Sequence, residues 1–113
     1  MQGNVSLLAR SFTAAGSLSQ YQPVQADGTA ATAAGNAIGS ANVAASTGDR
    51  YTATVMGTCL MVAGGTIAAG ALVEVHTTVT QVVTKSSGVA IGRYMGSSSA
   101  ASGDIIEVLL IPN

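Results

Sequence analysis

The stretch Tyr51-Thr-Ala-Thr-Val-Met-Gly-Thr-Cys-Leu-Met-Val62 constrains the fold most. β-Branched and aromatic residues fill it, and such residues favour the pleated backbone of a strand. Side chains in a strand point alternately to opposite faces. Tyr51, Ala53, Val55, Gly57, Cys59 and Met61 therefore share one face, and Thr52, Thr54, Met56, Thr58, Leu60 and Val62 the other. Gly57 marks a bulge or bend in this strand.

The same period of two runs through the chain. Ala71–Thr77 reads as a strand with Glu74 and His76 on one face and Val73 and Val75 on the other. The alternation of Glu74 and His76 predicts a solvent-exposed face, with a polar pair or pH-responsive contact as the less ordinary alternative. Thr80–Thr84, Val89–Tyr94 and Asp104–Ile111 follow as strands, the last stopped by Pro112. Tyr21–Ala26 is an edge strand or strand start because of Pro23, and Asp27-Gly28 is a tight-turn signal. Thr66–Gly70 reads as a single tight helical turn ending on glycine, and Met95–Gly103 as a flexible loop. Residues 29–48 are of low complexity, a long loop or short irregular strands anchored by Ile38 and Val43.

Strands recurring about every 10 residues predict an all-β fold, a small antiparallel β-sandwich or barrel-like domain with an extended N-terminal arm. Residues 1–20 form the arm and 21–113 a single β domain with its packed centre at 51–113. Of the 26 Leu, Ile, Val and Phe residues, 18 lie after residue 50. No repeat of fixed length is visible, which excludes a solenoid. The arm carries Val5, Leu7, Leu8 and Phe12, too few to bury themselves. It lies on a neighbour or pairs at home as a first strand; these four residues are the candidate interface.

Composition sharpens the question of partners. Nine of 113 residues are charged, 8%, against about 25% in an average globular protein. Ala, Gly, Ser and Thr make up 58 residues. A monomer of this size exposes roughly 5,700 Å², about one charge per 600 Å². Either hydroxyls and amides carry that surface, or copies of the chain or a larger partner cover it; interface cores are depleted in charge, and this second reading is the preferred one. The net charge of −1 and the lack of a basic patch argue against nucleic acid. No apolar run approaches the roughly 18 residues of a membrane span, and Met1–Phe12 has no cationic start, so it is a poor secretory signal.

Catalysis, metal and cofactor binding are not expected. His76 is the sole histidine, which excludes a two-His metal site within one chain. Cys59 with His76 as base would make a nucleophile, but nothing orients the pair, and a buried apolar cysteine is far commoner. Ala63-Gly-Gly-Thr66 lacks the lysine of a phosphate loop. Ser97-Ser-Ser99 has no nucleophile motif around it. Asp49, Glu74, Asp104 and Glu107 are scattered.

The order Gly65-Thr-Ile-Ala-Ala-Gly70, Ala71-Leu-Val-Glu-Val75, Thr80-Gln-Val-Val-Thr84, Val89-Ala-Ile-Gly-Arg93, Ala101-Ser-Gly-Asp-Ile105 and Val108-Leu-Leu-Ile111 resembles the capsid cement (head-decoration) family of tailed bacteriophages, long catalogued as a domain of unknown function. The resemblance covers residues 51–113. It implies a compact β domain, a homotrimer, made in the host cytoplasm and set on the outer surface of the capsid in the virion. The implied partners are the major capsid protein and copies of the chain itself, and no catalytic residues carry over. Two competing classes are another phage structural module, from a tail or spike, and a surface-binding β module. The second usually presents clustered aromatics, whereas Tyr21, Tyr51 and Tyr94 are scattered.

Overall fold

The computed structural model describes residues 6–111. Eight strands form one antiparallel, barrel-like sheet: β1 (Ser6–Thr13), β2 (Pro23–Val24), β3 (Gly39–Ala41), β4 (Arg50–Val62), β5 (Leu72–Val75), β6 (Val82–Thr84), β7 (Gly92–Tyr94) and β8 (Ile105–Leu110). Their order is β2-β3-β4-β8-β7-β5-β6, with β1 also on β4. β6 returns to the end of β4 through a parallel bridge between Ala63 and Val82, which nearly closes the second half. The arm residues thus pair within the chain: β1 runs antiparallel to β4, from Ser6 opposite Gly57 to Thr13 opposite Arg50.

On the inward face of β4 Tyr51, Ala53, Cys59 and Met61 are buried, as the alternation requires. On the other face Met56 is exposed, but Thr54 and Thr58 are buried as well, their hydroxyls bonded to Asn42 and Glu107. Gly57 has a φ of 96°, and the β1–β4 register shifts beside it, so the expected bulge is present. Thr66–Gly70 differs from its expected helical turn. Ala71 donates its amide to the Ala68 carbonyl at 3.1 Å, and Gly70 takes a φ of 77°, a β-turn that needs glycine. β2 is only two residues long, shorter than the expected Tyr21–Ala26, and β3, three residues long, is a short strand within the low-complexity stretch 29–48.

Two cores lie along the body, which measures 37 × 26 × 24 Å. One gathers Phe12, Leu18, Val24, Ala41, Tyr51 and Ala53; the other includes Met61, Ile67, Val73, Ile91, Ile106 and Val108. The two halves are copies of one module. Ala14 donates to Asp49 and accepts from Gly48; Ala63 does the same with Asp104 and Gly103. Leu18 forms a two-way bridge with Ala45, and Ile67 with Ala100. Val24 opposes Gly39 as Val73 opposes Gly92, and Ala41 opposes Ala53 as Tyr94 opposes Val108. Phe12 opposite Tyr51 matches Met61 opposite Ile106.

The first module is β1–β2–β3 with the leading part of β4. The second is the trailing part of β4 with β5, β7 and β8, and β6 is an extension of the hairpin that in the first module is the Val24–Ala30 bridge. β4 serves both, and the left-handed Gly57 stands at the handover. A repeat is therefore present although no fixed period is, because the loops between equivalent strands differ in length.

Candidate interaction surface

All five carboxylates hold the framework. Asp49 accepts the Ser46 amide at 2.9 Å and Asp104 the Ala101 amide at 2.8 Å, each closing the turn before a strand. Asp27 accepts both the amide and the hydroxyl of Thr29, which hold its carboxyl below the ordinary aspartate range. Glu74 accepts the amides of Ser86 at 2.6 Å and Gly88 at 3.1 Å, which lower its carboxyl in the same way. Glu107 accepts the Thr58 hydroxyl at 2.6 Å.

The exposed-face expectation for Glu74 therefore fails. Glu74 is buried because the segments around Ala34 and Gly88 cross the face it points to, with Ala34 donating its amide to the Val75 carbonyl. His76 is half-buried and accepts the Thr78 amide through Nδ1 at 3.0 Å, so it terminates a strand rather than pairing with Glu74. Burial pushes the Cys59 thiol up to about 11, which leaves it protonated and unreactive at neutral pH. Among the described residues no three His, Cys, Asp or Glu side chains gather where they would hold a metal.

What the outside offers is apolar and sparsely charged. Of the candidate interface residues, Leu7 and Leu8 are 71% and 48% exposed. Leu8 pairs with Met56, itself 54% exposed, and Leu7 occupies the adjoining register shift. Phe12 turns inward against Tyr51, with ring centroids 5.9 Å apart, and has little surface to offer. Val5 lies outside the described residues. Sequence reasoning missed Met56, whose place on the outward face of β4 was legible but whose meeting with Leu8 depended on the β1–β4 register.

A second apolar region lies on the outer face of β4, β8 and β7. Ile105 opposes Val62, and Leu109 stands between Thr58 and Arg93; directly opposed residues share a face. Ile105 and Leu109 are exposed, and Met95 beside them as well. Arg93 reaches back to the Gly70 carbonyl at 2.6 Å.

No family model matches the chain, and no curated protein matches it in sequence. Among solved structures, the chain is similar to the crystal structure of the head fibre gp8.5 N base of bacteriophage phi29. The TM-score is 0.71 at 15% identity, over 92% of this chain and 93% of that one. At that identity the likeness is one of fold, and it extends over both modules.

Proposed function

We propose that the chain is a structural protein of a tailed-phage head, a decoration (cement) protein seated on the outer capsid surface. One observation carries the reading: the eight-stranded architecture resembles, nearly end to end, the base of a phage head fibre. The composition and geometry support it. The carboxylates are spent on turns and on a core-edge hydroxyl, and the remaining exterior is small, hydroxylic and apolar, as a surface suited to being covered is. No catalysis belongs to this reading.

The mechanism is linkage. A protein that binds the assembled shell and not its free subunits stabilises the shell by mass action. The proposed homotrimer binds the major capsid protein at several points at once, and effective concentration multiplies modest contacts. Scarce charge lowers the desolvation cost of each.

A second reading, the base of a longer fibre, is favoured by what the phi29 structure is a base of. The test is to mix the purified chain with heads of the encoding phage that lack it, and to sediment them. Saturable binding with raised heat resistance of the heads is expected. Binding to tails alone, or to neither, overturns the proposal.

A further inference from the structure

The internal duplication shows how one module receives another. The first strand of the second module is covered at Thr58–Leu60 by β3 of the first: the Ser40 hydroxyl donates to the Leu60 carbonyl at 3.0 Å and lies against the Cys59 thiol. Thr58, Cys59 and Ser40 are all buried there. The matching positions at the start of the first module are Ala9, Arg10 and Ser11, since Ala9 opposes Thr54 and Arg10 opposes Ala53 as Thr58 opposes Leu109 and Cys59 opposes Val108. All three are exposed. The docking face is thus built twice and filled once.

A second copy of the chain is a poor occupant. The residues matching Ser40 and Thr54 in the second module are Arg93 and Leu109. Seating them on β1 as Ser40 sits on β4 sets Arg93 against Arg10. Like charges pressed together in an interface select against the pairing that brings them there.

Arg10 itself states the complementary chemistry. It replaces the apolar Cys59, its guanidinium sits 5.5 Å over the Phe12 ring, and among the described residues it donates to no acceptor. Each Asp and Glu side chain is engaged elsewhere. Two residues before Arg10 on β1 is the exposed Leu8, paired with the exposed Met56. Arginine is among the residues enriched at interface hot spots.

We propose that β1 around Arg10 is the docking surface of the protein, and that its occupant is an antiparallel β-ribbon of the shell protein with a carboxylate set against Arg10. This rests on the head-protein reading above.

Two measurements test it. In head binding, Arg10→Glu is expected to weaken affinity about 100-fold or more, with an unchanged melting temperature because the side chain is exposed. Arg93→Glu, at an exposed arginine on β7 of the other module, is expected to stay within about twofold. Equal loss from both variants, or none from Arg10→Glu, overturns the proposal.

In the isolated chain, the amides of β1 that point away from β4 are expected to exchange at unprotected rates. Protection that grows with concentration means a second copy is the occupant. Protection lost on deleting residues 1–5 means the chain covers its own edge. Either result overturns the proposal. Failure of the wild-type chain to bind heads sinks the head-protein reading instead, and the exchange arm then decides the surface by itself.

Discussion

Asp49 and Asp104 hold the same turn twice: each accepts the amide three residues before it, donates its own amide to that residue's carbonyl, and follows a left-handed glycine. Gly48 and Gly103 have φ values of 89° and 90°. Equivalent geometry predicts equivalent energetics. Asp49→Ala and Asp104→Ala should each cost about 0.5–2 kcal/mol, the scale of a lost side-chain cap on a backbone amide. Urea denaturation of the two variants checks both the size and the match.

Glycines separate two causes in the same way. A Cβ on Gly39 would lie 1.7 Å from the Thr54 carbonyl oxygen, and one on Gly92 would lie 2.4 Å from Val108 Cγ1 and 2.7 Å from the Leu109 carbonyl oxygen. Backbone cannot step aside, so alanine at either position should cost about 3 kcal/mol or more. Alanine at Gly48 or Gly103 meets open space and pays only the left-handed conformation, about 1–2 kcal/mol. Melting curves of the four variants should rank accordingly.

The N-terminal strand divides stability from binding. Phe12→Ala removes a buried ring from the first core and should destabilise by about 3–5 kcal/mol. Leu7→Ser and Leu8→Ser alter exposed side chains and should change stability by less than about 0.5 kcal/mol while weakening head binding. Parallel measurements of melting and sedimentation distinguish the two effects.

Acid sensitivity follows from Glu74. Its folded carboxyl lies below the ordinary value of 4.5, so the folded state binds its proton less readily than the unfolded chain. The stabilisation is present above that ordinary value and is lost as pH falls through the lower folded value. Glu74→Gln should lower the melting temperature at neutral pH and flatten its decline on acidification, as a calorimetric pH series will show.

The length of β4 and β8 was legible because alternation over six to thirteen residues leaves no other backbone that sorts Cys59 and Met61 from Leu60 and Val62. β2 was legible only as an edge strand somewhere in Tyr21–Ala26, and β3 only among the short irregular strands of residues 29–48, because Pro23–Val24 and Gly39–Ala41 are too short for a period to fix their bounds. Glu74 misled because alternation tells which residues share a face and not what crosses it. The duplication hid in plain view. Ala45-Ser-Thr-Gly-Asp49 and Ala100-Ala-Ser-Gly-Asp104 are near copies, but the hairpin from Val24 to Ala30 lengthens to Val73–Thr84 in the second module and breaks any constant spacing. The pairing of Leu8 with Met56 was beyond reach for a related reason: it depends on the register shift at Gly57, which the sequence marks without measuring.

Because β4 ends one module and begins the next without a break, there is no linker at which the chain can come apart. Melting either half strips partners from a strand the other half also needs. The calorimetric and van't Hoff enthalpies should therefore agree, making the whole body a single cooperative unit despite its two cores.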